Sequence, residues 1–262
     1  MNMLEHFRPE ERAWVEQAAD WKEAVETNFE RRLTDFLDPR ERDILASVIG
    51  KDETVHYAFA GGSEDAERKR ALIYPFYEQP EQENFQLILF EISYPQKFAS
   101  LEHKDVLGAL MGIGLKREKF GDILEGEGCF QFVAAAEVRS YIELNLPKIA
   151  NVSVTPVEKP FSAMLPIEEQ WVERETTVSS LRLDTFMAEA YRLSRSKTLP
   201  FIEKAKVRVN WKKVDQSSYM LRPGDYVSVR GLGRSKLMEV LGRTKKDKQR
   251  IVYGIKEQKR KK

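Results

Sequence analysis

The stretch "RLDTFMAEAYRLSRSKTLPFIEKAKVRVN", residues 182–210, reads as two helices followed by a strand. Leu183, Phe186, Met187, Ala190 and Leu193 recur at helical spacing and line one face of the first helix. A second, basic helix runs from about residue 196 to 205. "KVRVN" then alternates apolar and polar residues as a half-buried strand does. Between Leu193 and Lys213 the cations far outnumber the single acid, Glu203.

That concentration stands out because the whole chain of 262 residues is nearly neutral, at +1. Residues 1–179 carry 20 Lys and Arg against 34 Asp and Glu, whereas residues 180–262 carry 23 against 8. A basic C-terminal third on an acidic body predicts a polyanionic partner for that third. The terminal "KEQKRKK" reads as a solvated tail, but Arg182 to Arg250 stays basic without it. "MLRPGDYVSVRG", "SKLMEVLGR" and "QRIVYGIKE" follow as strands, within a sequence patterned to fold.

Residues 182–230 resemble the S4 RNA-binding domain. The resemblance rests on Arg182-Leu183-Asp184 on a first helix, Ser194-Arg195 opening a second, and Ile202 on it. Val207, Val209-Asn210, Gly224-Asp225, Val227, Val229 and Arg230 follow in the family's order. Three residues depart from the pattern: Ala205 and Trp211 stand where the family usually has Gly, and Pro200 falls inside the second helix. The resemblance implies a structured RNA as target, recognised by shape and backbone more than by sequence. The expected RNA-binding residues are Arg182, Ser194, Arg195, Lys197, Lys204, Lys206, Arg208, Asn210, Lys212 and Lys213. Together they would form one phosphate-facing surface of helix, strand and turn. Arg grips phosphate bidentately and Lys acts as a point charge. Asn210 offers a donor and an acceptor at the turn. Arg182 and Asp184 also admit an ion pair within the domain.

Upstream, the first fifty residues read as helical, with Trp14 and Val15 buried and with Trp21, Val25, Phe29 and Leu33 on one helix face. A further helix starts at Asp38-Pro39, with Glu41 three residues after the cap, and stops at Gly50. "TVHYAFAGG" reads as a strand, and "SEDAERKRALIYPF" as a helix capped by Ser63. The prolines and acids of "YEQPEQEN" suggest a boundary near residue 80.

From about 85 to 157 the order is β-α-β-β-α-β, with Ser100 capping the first helix and a Gly-rich hairpin between "KFGDILEGEG" and "CFQFVAAA". That is the split βαβ sandwich of ferredoxin-like and RNA-recognition-motif folds. Phe130 and Phe132 share one strand face; they either stack on bases or pack against helices, and the acidic surroundings favour packing. The expected class is therefore α+β. Residues 1–80 form a helical and α+β region and 81–165 an RRM-like domain. Residues 166–180 form a linker and 181–262 an S4 domain with a basic tail.

This arrangement resembles the YlmH group of bacterial S4 proteins across nearly the whole chain, "LGALMGIGLKREKFGDIL" included. The resemblance implies rRNA and tRNA as ligands, the large ribosomal subunit as partner, and a part in rescuing stalled ribosomes. It also carries a cell-division label, so the acidic N-terminal region is a possible docking face for a protein in a division scaffold.

Other chemistry finds little footing. His6, His56 and His103 are scattered with no ligand spacing, so no metal or other cofactor is expected. The single Cys129 excludes an intramolecular disulfide and reads as a small buried strand residue. No apolar run approaches the roughly 20 residues of a membrane span, and the N-terminus does not read as a secretory signal, so a cytoplasmic location is expected. S4 domains often accompany pseudouridine synthases. Asp122 in "FGDIL" is the one catalytic candidate, without the Arg and Leu neighbours such sites show. A non-enzymatic RNA-binding protein is the expectation.

Overall fold

A computed structural model describes residues 7, 9–94, 101–167 and 171–256. The chain forms two compact units, Met1–Ile167 and Glu168–Lys262. Both are α+β.

In the first unit, α1 (Arg12–Asn28) ends where Phe29 turns left-handed at φ 57°. Phe29 is 61% exposed, and Leu33 belongs to a strand, β1 (Arg32–Leu37). The four-residue spacing from Trp21 therefore runs past the helix end by coincidence. Val15, Ala18 and Val25 carry the buried face, and Trp14 meets Trp21 edge to face at 5.5 Å. The next helix, α2 (Pro39–Ile49), begins and ends as its residues dictate. Asp38 accepts from the Glu41 N–H at 2.9 Å, Glu41 accepts from the Asp38 N–H at 2.7 Å, and Gly50 closes the helix at φ 65°.

Strands β2 (Val55–Ala60) and β3 (Lys69–Pro75) complete an antiparallel sheet in the order β1-β3-β2. The helix expected from Ser63 is a turn followed by β3. Asp122, distant in sequence, accepts the Glu67 and Arg68 N–H groups at 2.6 and 3.0 Å and so takes the donors a helix would have used. Ala71 and Ile73 face α1 and α2, while Leu72 faces Phe85 and Leu87. A strand covered on both faces loses the alternation that would mark it in sequence.

The middle of the unit comprises β4 (Leu87–Ser93), α3 (His103–Gly112), β5 (Phe120–Gly126), β6 (Cys129–Ala135) and α4 (Arg139–Asn145). A short hairpin of β7 (Lys148–Ile149) and β8 (Val152–Ser153) precedes β9 (Pro156–Lys159). The sheet order β5-β6-β4-β9, antiparallel throughout, is that of the split βαβ sandwich. Glu102 and Asp105 form the capping box of α3; Ser100 lies outside the described residues.

Phe130 and Phe132 are fully buried, and Phe132 stacks on Phe90 at 5.3 Å, so packing is their role. The middle of the opposite sheet face is covered too. Gln131 donates to the Ala163 carbonyl and accepts from the Leu165 N–H at 2.9 and 2.7 Å. Gly121 lets Phe36 approach; a Cβ there would sit 2.8 Å from the Phe36 ring. The middle of the surface an RNA-recognition motif offers to bases is thus occupied by the protein itself, while Val157 at its β9 edge is 51% exposed.

The second unit holds β10 (Trp171–Val178), α5 (Leu183–Ala190), α6 (Arg195–Glu203), β11 (Val207–Val209) and β12 (Lys212–Lys213). It closes with β13 (Tyr226–Val229), β14 (Gly233–Arg243) and β15 (Gln249–Lys256). Six strands lie in the order β10-β15-β14-β13-β11-β12. The span 166–180, read as a linker, instead contributes β10, which pairs with β15 along its whole length. Leu183, Phe186, Met187 and Ile202 from the two helices pack with Val207, Val209, Val227, Val229, Leu237 and Ile251 on one face of the sheet.

Both departures from glycine are accommodated by left-handed backbone. Ala205 takes φ 51° between α6 and β11, and Asn210-Trp211 takes φ 47° and 64° in the two-residue turn between β11 and β12. Two positive φ angles are what a type I′ hairpin turn demands. A side chain in this region costs about 1–2 kcal/mol. Ala205→Gly is therefore expected to stabilise the chain by about 0.5–1 kcal/mol, once glycine's larger unfolded-state entropy is set against the relieved strain. Urea unfolding checks it.

Candidate nucleic-acid interface

The residue around which the site is built is Asp184, in the first turn of α5 with its side chain 6% exposed. Arg182 donates to it through Nε and Nη2, both at 3.1 Å, and Arg195 donates through Nη2 at 2.8 Å. The Thr185 N–H adds a bond of 2.8 Å. Burial by itself would raise this carboxyl; the hydrogen bonds and charges of Arg182 and Arg195 outweigh it and hold Asp184 down at about 2. One buried carboxylate thus fixes two guanidinium groups. Their side chains remain 37% and 55% exposed, so the rest of each fork faces solvent. Of the two readings of Arg182, the ion pair is realised, and it orients the group rather than burying it.

Along α6, Lys197 and Lys204 are exposed. Ser194 and Ser196 exchange a hydroxyl hydrogen bond of 3.0 Å at its start. Lys206, just past the helix, is exposed with its ammonium 6.0 Å from the Phe201 ring. These residues, with Arg182 and Arg195, gather on the helical side of the unit.

The remaining candidates separate by the two-residue period of a strand. Val207 and Val209 point to the core, so Arg208 between them points away. Lys213 stands directly opposite Arg208, while Lys212 stands opposite Val209. Arg208 and Lys213 therefore share the face away from the helices, and Lys212 lies on the other. The single helix-strand-turn surface expected from the sequence is two surfaces. Asn210 serves the fold: its Nδ2 donates to Asp225 at 2.8 Å and its Oδ1 accepts from the Tyr226 N–H at 2.9 Å, so both polar atoms are engaged.

Two cations on the outer face escaped sequence reading. Arg234 and Lys236 alternate with buried Ser235 and Leu237 along β14, a pattern visible in "GRSKL" once the strand is placed.

Asp122, the catalytic candidate, uses both carboxylate oxygens on the Glu67 and Arg68 N–H groups. Burial raises it above the usual carboxylate range. Among the described residues no three His, Cys, Asp or Glu side chains converge as metal ligands, and no helix is long and apolar enough to cross a membrane.

Two regions of the chain match known families. Residues 80–163 match the family described as the putative RNA-binding domain in YlmH, and residues 181–227 match the S4 domain. The ribosome-associated protein quality control protein P2 of Bacillus subtilis is 44% identical over 253 residues, covering 96% of this chain and 98% of that protein. A solved structure, the cell division protein ylmH from Streptococcus pneumoniae, is 30% identical with a TM-score of 0.54. That match covers 62% of this chain and 98% of the other. On identity sustained over almost its full length, with an S4 domain in the expected place, the chain belongs to the YlmH family of S4-domain proteins.

Proposed function

We propose that the chain binds structured RNA, rRNA or tRNA, on the large ribosomal subunit and acts there in quality control of translation. The observation that carries this is the Asp184 clamp. It holds Arg182 and Arg195 with exposed donors beside the lysines of α6, and phosphate recognition favours charges whose orientation is fixed before binding. The name of the Bacillus subtilis relative places that protein with ribosome-associated quality control, which supports the same setting for this chain, in the cytoplasm.

In this reading the second unit anchors the RNA, and it takes in β10 ahead of residue 181 because that strand completes its sheet. Residues 81–165 act chiefly as a spacer, since the protein itself fills the middle of their outer sheet face. Residues 1–80 supply acidic surface for a protein partner. The chain is non-catalytic, with Asp122 spent on holding a turn.

The test is co-sedimentation with separated ribosomal subunits over a salt series. The full chain is expected on the large subunit. Arg195→Ala and Lys206→Ala are each expected to weaken binding and to lower the salt slope by roughly one, the loss of one phosphate contact apiece. Unchanged affinity in both variants would remove the site from α6. Binding that survives deletion of residues 168–262 would move it to the acidic unit and favour a scaffold role, the setting suggested by the name of the Streptococcus pneumoniae protein.

A further inference from the structure

The helices of the second unit cover one face of its sheet, and the other face carries an ordered pattern. Register places Lys213 opposite Arg208, Arg208 opposite Ser228, and Ser228 opposite Arg234. Three cations and a serine thus form one row across β12, β11, β13 and β14. Lys213 and Arg208 are like charges directly opposite one another, an arrangement that costs a sheet stability.

One pleat along, a second row begins. Tyr226 lies opposite Lys236, whose ammonium sits 4.4 Å from the Tyr226 ring centroid. Trp211 approaches the same ring at 5.4 Å and Trp171 at 5.7 Å. All three aromatics are only half-buried. Trp171 crosses the sheet over Gly254, where a Cβ would lie 3.0 Å from its own Cβ. Two residues along a strand separate the rows, about 7 Å at the strand rise.

Packing over glycine accounts for Trp171. It does not account for Trp211, an indole at φ 64° where glycine would sit without strain. A bulky residue kept in a costly conformation points to a role outside folding. Acidic residues on this face lie toward β10, at Glu173 and Glu175, and at Glu239 in the half of β14 beyond Lys236, and Asp225 is bound by Asn210 and the Arg222 N–H. The basic row, with Trp211 and Tyr226, therefore lies on the strands away from β10.

We infer that this outer face is a second RNA site, which binds an unpaired segment with its phosphates along Lys213, Arg208 and Arg234 and its bases on Trp211 and Tyr226. A cation track beside stacking rings is the physical basis of single-strand binding, and it tolerates sequence because every base has a π-face. The inference rests on the proposed RNA binding and adds to it: the helical side takes structured RNA, and the sheet side takes a flanking single strand.

Fluorescence anisotropy with the full chain tests it, using a hairpin stem and the same stem carrying a short oligoadenosine tail. The tail is expected to tighten binding about tenfold, the scale of stacking one base. Trp211→Gly suits the backbone, so its thermal midpoint is expected to hold or rise; it is expected to lose the gain from the tail while binding the bare stem as before. Arg234→Gln is expected to lower the tail-dependent salt slope by about 0.7, the single-strand value for one phosphate. If the tail adds nothing, or Trp211→Gly keeps the gain in full, the second site is overturned and RNA binding by the helical side stands. If neither RNA binds, both readings fall.

Discussion

Arg70→Met is expected to destabilise the first unit by about 1–3 kcal/mol, the scale for losing the hydrogen bonds of a buried charged donor. Arg70 is 4% exposed. Its Nε donates to the Thr34 carbonyl at 2.7 Å, and its Nη1 to the Gln86 carbonyl at 3.2 Å and to Glu137 at 3.1 Å. Methionine would fill much of the volume but take its donor from the Thr34 carbonyl, while Gln86 keeps the Ala136 N–H and Glu137 keeps Lys119. Lys119 closes the same network, bonded to Asp35 at 2.6 Å and to Glu137 at 3.1 Å. Thr34 and Asp35 belong to the three-stranded sheet, and Gln86 and Glu137 to the middle domain. One guanidinium therefore ties the two halves together. Against a typical total of about 5–15 kcal/mol, the loss would be a substantial share of the stability. Urea unfolding of the full chain measures it, with Arg70→Lys as a control that keeps the charge and loses the fork. A loss below about 1 kcal/mol would mean that apolar packing, including Phe36 against Gly121, holds the halves without the network.

That network also explains which parts of the fold are legible in the sequence. Helix α2 is legible at both ends because Asp38, Pro39, Glu41 and Gly50 act within a few residues of themselves. The boundary near residue 80, where the match to the putative RNA-binding domain begins, does not divide the first compact unit. Its prolines and acids mark an exposed connection, but what joins the flanking regions is Arg70, Phe36 and Asp122, each meeting a partner remote in sequence. The same remoteness hides β3. The run from Ser63 orders its charges as a helix does, and only the distant Asp122 carboxylate commits the Glu67 and Arg68 N–H groups elsewhere.

In the second unit the local motif is legible because the S4 pattern is compact, and it leads to Arg182, Asp184 and Arg195. The arrangement of cations into faces is not. "VRVNWKKV" packs its polar and charged residues close together, and only the position of the two-residue turn determines that Arg208 and Lys213 face one way and Lys212 the other. Asn210 reads as a ligand for RNA because asparagine can donate and accept; the turn it stabilises uses both capacities. Trp211 stands out as a departure at a glycine position, and that departure is what marks the outer face.

Asp184→Asn tests the clamp on two scales at once. The amide keeps the shape but removes the charge that opposes Arg182 and Arg195. The expected loss is about 2–3 kcal/mol of stability, the range for charge-assisted hydrogen bonds. The pH dependence follows from the sign of the shift. Asp184 titrates at about 2 in the folded chain and near 4 when unfolded, so its stabilisation is complete above about pH 4–5 and disappears as the pH falls toward 2. The gap between the parent chain and Asp184→Asn is expected to stay constant at neutral pH and to narrow through that acid window. A gap that persists unchanged at pH 2 would mean the carboxylate's charge is not what stabilises. RNA affinity at neutral pH is expected to fall about tenfold or more, because both guanidinium groups lose their fixed orientation while their charges remain. This separates orientation from charge: Arg195→Ala lowers the salt slope, whereas Asp184→Asn is expected to weaken binding with the slope preserved. Full affinity in Asp184→Asn, alongside the loss of stability, would reduce the clamp to a structural ion pair and leave the lysines of α6 as the whole of the helical site.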